Sequence, residues 1–458
     1  MSSDMQQRRR ILITGASGNV GAGVLRELRR QEPEAELVGV CRRPPMRGQL
    51  YENVQWCPVD LAAADATSRL ADAMRGADAV IHLALAVHPV DDEDYLYRVN
   101  VVGTQAVLDA VVAAEVSHLI YASSLGIYAP SETPTPVTEG YPTTGQSTSV
   151  YSRHKVAVES LLDHFERDHP ATVVSRFRPT VVMARHAAYE IRSLYVGSVI
   201  PRAAFAVAQR YALPLLPLPR GLALQFVHAD DVGDAVVRLL NQRVRGSFNV
   251  ASDVLSGSAL AALVGARPVR VSPAAMRAVV VALHRVGVLA VTPGWYDVAT
   301  RSPVMDTTRA REELAWQPRY SSTDAARELI DGLADGATGT SPALGAVDGV
   351  TPSRDAALSP AHDVTLTLWW AMAVTAAARG RRPGAMYRSV VAANLMSGTP
   401  AALQRLRQRR RDPVAVLAPV TVAAALLATR RGGWPAAATA TALAALGLAE
   451  RGRRKDQA

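Results

Sequence analysis

Cysteine is nearly absent from this chain of 458 residues: Cys41 and Cys57 are the only two. Two thiols give neither a disulfide framework nor a metal-ligand cluster, which fits a reducing cytoplasm and a site without metal. Lysine is as scarce. Lys155 and Lys455 stand alone, and the other 48 of the 50 basic residues are arginine. No stacking pattern of aromatics interleaves with the clustered arginines of the C-terminal region, so nucleic-acid binding is not expected. A long N-terminal apolar run is missing too. Arg8, Arg9 and Arg10 lead into only Ile11-Leu12-Ile13 before Thr14-Gly15, which reads as no signal peptide.

Enough apolar residues remain, 49% of the chain, for a large core, and the length predicts two to three domains. The net charge of +9 is uneven. From Arg379 onward there are 15 basic and 3 acidic residues, against 35 basic and 38 acidic before it. The basicity therefore belongs to an appendage with its own partner rather than to a basic enzyme.

One of the two lysines sits in a suggestive place. Tyr151 to Arg167 reads as a helix with apolar Val156, Val158, Leu161, Leu162 and Phe165. On a helix, residues i and i+4 share a face, so Tyr151 and Lys155 address the same space. An ammonium beside a phenol should pull the phenol pKa down from about 10 and make it a proton shuttle. Alone, the pair would read as ordinary surface residues of one helical turn. Arginine, with its broad fork, would not replace this point charge simply.

The chain opens with a strand, Arg10–Thr14, a turn Gly15-Ala16-Ser17-Gly18-Asn19-Val20-Gly21, and a helix through Leu28. Such glycines allow a tight turn and close backbone approach to a pyrophosphate at the helix N-terminus. The next strand, Glu36–Val40, ends at Cys41, Arg42 and Arg43. A carboxylate there would bind the ribose of NAD; two guanidiniums accommodate a 2′-phosphate instead. NADP is the preferred cofactor on this reading, with NAD the alternative. Further strands are expected at Val54–Val59, Ala79–Ala84 and His118–Ala122, with Asp60-Leu61 placed to meet an adenine edge and a helix from Val99 to Ala114. Alternating strands and helices predict an α/β fold, a Rossmann-like doubly wound parallel sheet with its ligand at the strands' carboxyl ends.

These elements carry a resemblance. Thr14-Gly15-x-x-Gly18-x-x-Gly21, Asp60-Leu61, His82-x-Ala84, Asn100-Val101-x-Gly103-Thr104, Ser123-Ser124-x-x-x-Tyr128 and Tyr151-x-x-x-Lys155 occur in order. Arg178-Pro179, Phe226-Val227-His228-x-x-Asp231, Phe248-Asn249 and Leu314-Ala315-Trp316-x-Pro318 follow. The chain resembles the extended short-chain dehydrogenase/reductase family of the NAD-dependent epimerase/dehydratase type over roughly residues 10–340. The resemblance implies that Tyr151 is the general acid/base, that Lys155 lowers its pKa and binds the nicotinamide ribose, and that Ser124 holds the substrate oxygen. Asn100 would support the proton path or the helix geometry. Cofactor contacts would come from Gly15, Ser17, Gly18, Asn19, Val20 and Gly21, from Arg42, Arg43, Asp60 and Leu61, and from Leu83, Ala84, Lys155 and the backbone after Pro179. His154, within the motif, reads as a helix-surface residue.

Departures narrow the substrate. Where sugar-nucleotide dehydratases of this family carry Asp-Glu, this chain has Leu125-Gly126; where many epimerases place a pyrophosphate-binding Arg, it has Leu224. The glycine usual after Arg-Pro is replaced by Met183-Ala184. The apolar segment Tyr211–Leu224 suits a less charged alcohol or ketone, although Arg202, Arg210 or Arg220 could supply a clamp.

Residues 8–335 are expected to form the NAD(P)-binding domain. Its smaller substrate lobe is built from pieces after 180, with helices at Ala187–Arg210, Val232–Leu240, Ser272–Val291, Asp306–Pro318 and Ser321–Leu333 and strands at Leu222–Val227 and Gly246–Val250. Residues 336–362, rich in Gly, Ser, Thr, Pro and Asp, read as a flexible linker. Residues 363–458 read as a basic, Ala-rich helical tail with apolar runs Val364–Ala378, Val414–Thr429 and Trp434–Ala449. A run of that length spans about 24 Å as a helix, and a bilayer core needs about 20 residues. A shallow hairpin on an anionic membrane and a soluble hairpin both fit.

The expected activity is hydride transfer between nicotinamide and an alcohol or ketone carbon of a small molecule. Sugar-nucleotide epimerisation is the alternative, and a non-catalytic NADP-binding module tethered by its tail is the alternative of another class. A cytoplasmic protein, peripheral at the membrane if the tail binds it, and a homodimer are compatible with the sequence.

Overall fold

The structure is a computed structural model, and it describes residues 8–45, 48–87, 92–131, 135–192, 215–285 and 291–345. Seven parallel strands form the central sheet: β1 (Arg10–Thr14), β2 (Glu36–Cys41), β3 (Val54–Pro58), β4 (Ala79–His82), β5 (His118–Ala122), β6 (Val173–Pro179) and β10 (Gly246–Val250). Their spatial order is β10-β6-β5-β4-β1-β2-β3. The order reverses between β1 and β4, the switch point of a doubly wound sheet. This is the Rossmann-like fold expected.

Both faces of the sheet are covered. On β1, Ile11, Leu12 and Ile13 have no exposed surface. Ile11 and Ile13 pack with Val24, Leu25 and Leu28 of the helix Asn19–Gln31. Leu12 faces Leu70, Leu108 and Leu162 of three helices on the other side. A strand buried on two sides needs such a continuous apolar run, and each side chain contributes roughly 1.5–3 kcal/mol.

Two small sheets lie outside the central one. In one, β7 (Val181–Met183) and β11 (Val254–Ser256) flank β9 (Ala223–His228); in the other, β8 (Leu215–Pro219) pairs with β12 (Arg267–Val271). The helix over Tyr151 runs Val150–Asp168, capped by the Ser149 side chain.

Several elements differ from expectation. The helix expected at Val99 is preceded by a helical turn from Glu93, and Arg98–Val102 widens into a π turn before Gly103–Ala113. The helix expected at Ser272–Val291 runs Pro273–Arg285, and a second helix, Pro293–Arg301, starts where Thr292 caps and Pro293 takes the first position. Of Ala187–Arg210, the described part is a tight turn, Arg185–Ala187, and a short helix, Ala188–Ile191; residues 193–214 lie outside the described residues. The first residues of the expected linker are packed, with Ser341 and Leu344 buried. The tail, 363–458, lies outside the described residues, and among those described no helix is long and apolar enough to cross a membrane.

Candidate active site

The carboxyl ends of β1, β2, β4, β5 and β6 open on one cleft with a cavity of about 450 Å³. Every residue expected to touch cofactor or substrate lines it, except Asn100.

The phosphate turn is built from necessity. Gly15 has φ +71°, and a Cβ there would lie 2.8 Å from the Ala84 nitrogen. A Cβ on Gly21 would lie 2.5 Å from the Gly15 and Ala16 oxygens. The turn thus packs tightly on its own backbone at the N-terminus of a helix with no acidic residue in its first turn, a setting that suits an anionic group. A dinucleotide fits this cradle. Arg42 and Arg43 lie at its β2 side, where Arg42 donates to the Tyr95 hydroxyl. Burial pushes the Cys41 thiol up. Asp60 Oδ1 accepts from the Ala62 N–H at 3.0 Å and so caps its own turn.

Asn100 is buried beside the cleft rather than in it. Its Oδ1 accepts from the Ala86 N–H at 2.7 Å, and its Nδ2 donates to the Ala86 carbonyl at 2.8 Å. It thereby clamps the loop after β4, which includes Leu83 and Ala84. His154 is not on the helix surface. It is buried, 3.4 Å from Asn100 through Nδ1, with its ring edge against Tyr97.

Ser124 accepts from the Gly126 N–H at 3.0 Å, and its hydroxyl is hydrogen-bonded to that of Tyr151. Tyr151 is partly open to the cleft. A Cβ on Gly126 would meet its ring at 2.9 Å. A side chain at position 126 would therefore require the Tyr151 ring to shift. On its other side the ring stacks on Trp295, centroids 4.6 Å apart and planes 28° apart. Trp295 comes from the helix Pro293–Arg301. Buried Asp297 ties that helix to Thr148 Oγ1 (2.7 Å) and to Arg277 Nε (2.7 Å) and Nη2 (2.8 Å). Gly294 lets the two backbones meet, since a Cβ would lie 2.4 Å from the Thr148 carbonyl.

Lys155 and Tyr151 do share the cleft, but the electrostatics differ from expectation. Lys155 Nζ donates to the Ala122 carbonyl at 2.5 Å and the Tyr121 hydroxyl at 3.2 Å. Burial lowers its pKa to about 7, partly opposed by Glu159. Burial raises the Tyr151 phenol to about 12, and its bond with Ser124 offsets only part of that. Desolvation sets the direction of both shifts. Below Lys155, Glu159 accepts from Ser123 Oγ (2.5 Å), Arg178 Nη2 (2.8 Å) and Arg176 Nη1 (3.1 Å). Burial pushes Glu159 up, but these partners outweigh it and hold the carboxyl below its usual range.

The cleft that Tyr151 lines also carries Leu125, Leu224, Phe226, Val298 and Val304. Gln225 is there too, but its amide is engaged by Met305 and Ser252. Burial pushes the Glu190 carboxyl up to about 7. Among the described lining residues the cations are Arg42, Arg43 and Lys155. Arg220 is exposed and off the cleft, and Arg202 and Arg210 lie outside the described residues. Sequence reasoning missed Trp295, whose one local signal is the Thr292-Pro293-Gly294 cap, and Tyr121 as the partner of Lys155.

Known proteins resemble this chain. Relatives include an uncharacterised protein of Sinorhizobium fredii, 24% identical over 68% of this chain and 75% of that protein. A UDP-glucose 4-epimerase of Yersinia pestis is 27% identical over 50% of this chain and 72% of its own length. A 2′-dehydrokanamycin reductase of Streptomyces kanamyceticus is 29% identical, over 52% and 60% respectively. Among solved structures, the UDP-glucose 4-epimerase of Thermotoga maritima has a TM-score of 0.54 at 17% identity, covering 71% of this chain and 99% of that one. MoeE5 in complex with UDP-glucuronic acid and NAD has a TM-score of 0.52 at 20% identity, with the same coverage. These structures share the fold. The model of the NAD dependent epimerase/dehydratase family matches residues 11–251, just over half the chain, from β1 through β10, and the chain belongs to that family.

Proposed function

We propose that the chain is an NAD(P)-dependent oxidoreductase that interconverts an alcohol and a ketone on a relatively apolar, uncharged small molecule. The observation that supports this most is the hydroxyl pair of Ser124 and Tyr151 at the mouth of a switch-point cleft, with Lys155 one helical turn away. When bound, the nicotinamide supplies or accepts the hydride. Ser124, its oxygen already bonded by the Gly126 N–H, donates to the substrate oxygen. Tyr151 gives that oxygen its proton in the reductive direction and takes it back in the oxidative one. A phenol raised to about 12 is protonated at neutral pH, which favours the reductive role. Lys155 holds the ribose side of the site and Asn100 holds the loop around Ala84. The experiment is a carbonyl panel with each reduced dinucleotide, read by loss of cofactor fluorescence.

The apolar wall and the grouping of cations on the dinucleotide side favour a substrate without phosphates. Arg42 and Arg43 favour a 2′-phosphate. NADP is expected to bind at least several-fold more tightly than NAD in fluorescence titration, and Arg42→Ala with Arg43→Ala to remove the difference. Equal affinities in the unmodified chain would contradict this.

Sugar-nucleotide epimerisation is the second reading, favoured by the likeness to the Yersinia pestis epimerase. The missing arginine at Leu224 weighs against it. For the tail, the arginine-flanked apolar runs favour an anionic membrane surface. The full-length chain is expected to float with anionic vesicles and not with neutral ones. Failure to float removes the membrane reading.

A further inference from the structure

We infer that residues 337–345, beyond the last helix, are a wall of the dinucleotide site. The inference rests on the cofactor reading above. The helix Ser322–Asp335 ends at Gly336, φ +66°, and the Ala337 N–H returns to the Gly332 carbonyl at 2.7 Å. The chain then folds on itself. The Gly339 N–H donates to the Leu344 carbonyl at 2.8 Å, and the Leu344 N–H to the Ser341 carbonyl at 3.0 Å.

This small loop is fastened to the phosphate turn. Ser341 is wholly buried, and its Oγ donates to the carbonyl of Ser17 at 2.6 Å. The Tyr51 side chain, from the connection between β2 and β3, is buried next to the side chains of Thr340 and Ser341. Leu344 is 1% exposed, and Gly345 lies against the Tyr189 ring, where a Cβ would come to 2.6 Å. Ala343 lines the same cavity as Ser17, Cys41 and Arg42.

The loop therefore bridges the phosphate turn and the β2 side, where the adenosine half of the cofactor belongs. Parting it from the turn would leave a buried hydroxyl and a buried carbonyl without each other. Its hold on Ser17 fixes the turn before a ligand arrives, which lowers the cost of ordering on binding. By linkage, a bound dinucleotide must in turn steady the loop.

Hydrogen exchange on the full-length chain tests this, with peptides covering 14–22 and 337–345, with and without saturating NADP. Exchange is expected to slow at least tenfold in both stretches. In tryptophan-fluorescence titrations, Ser341→Ala is expected to weaken NADP and NAD binding about fivefold, and Ala343→Trp at least tenfold. Both dinucleotides should be affected alike, because the contact is not to the 2′-phosphate. Protection of 14–22 with unchanged exchange in 337–345, and Ser341→Ala affinity within twofold of the unmodified chain, would overturn the wall. Protection of neither stretch would overturn the cofactor reading and this inference with it.

Discussion

Replacing Tyr151 with phenylalanine lowers turnover of a ketone substrate about a thousandfold, within the range for loss of a positioned proton donor. The same variant keeps its dinucleotide affinity within about threefold. The reason is the geometry of the ring. Trp295 stacks on one face at 4.6 Å and Gly126 fits closely against the edge, and phenylalanine preserves both contacts. Only the hydroxyl goes, with its bond to Ser124. The pH dependence follows from a phenol held near 12: reduction needs the protonated form, which persists well into alkaline solution, whereas oxidation needs the phenolate and accelerates as pH rises. Steady-state kinetics beside fluorescence titration of the same preparations check this. Unchanged turnover would remove Tyr151 from the mechanism.

Lys155→Met is expected to stabilise the protein while abolishing turnover. The buried ammonium titrates near 7 in the folded chain and near 10.5 when unfolded. The sign follows from proton counts. Below about pH 7 both states hold the proton, and the folded state carries the full cost of a buried charge. Between pH 7 and 10.5 the unfolded chain binds more protons, so the stability of the unmodified protein rises with pH. Methionine removes the cost but leaves the Ala122 carbonyl without its donor, a loss of about 1–3 kcal/mol. A net gain of about 1–2 kcal/mol at pH 6 is expected, shrinking toward pH 10. Denaturant unfolding at several pH values measures it. A methionine variant less stable at pH 6, or an advantage that does not vary with pH, would contradict the burial of that charge.

The parts of the site legible in the sequence are those written in local spacing. Gly15, Gly18 and Gly21 mark the turn by their spacing, and at Gly15 and Gly21 tight backbone approach excludes a Cβ. Tyr151 and Lys155 share a helix face by the i, i+4 rule, and the observed helix, Val150–Asp168, matches the expected one within a residue. The short apolar run Ile11-Leu12-Ile13 marked β1 as a strand. What the sequence did not reveal depends on distant parts of the chain. Trp295 reaches Tyr151 because Asp297 and Gly294 dock against Thr148, pairings with no local signature. The direction of the Tyr151 shift differs from the expected one because desolvation is set by everything that packs around a group. His154 looked like a surface residue until Tyr97 and Asn100 closed over it. Residues 337–345 have the composition of a linker, yet one buried hydroxyl and one leucine bind them to the domain.

The most direct test follows deuterium from NADPH labelled at C4 of the nicotinamide, offered with an uncharged ketone or with a UDP-sugar. The account predicts deuterium on the carbinol carbon of the reduced ketone, with matching loss of NADPH, and none in the sugar nucleotide. Epimerisation of the UDP-sugar without net oxidation of NADPH, or no transfer to any of a broad panel of ketones, would contradict it.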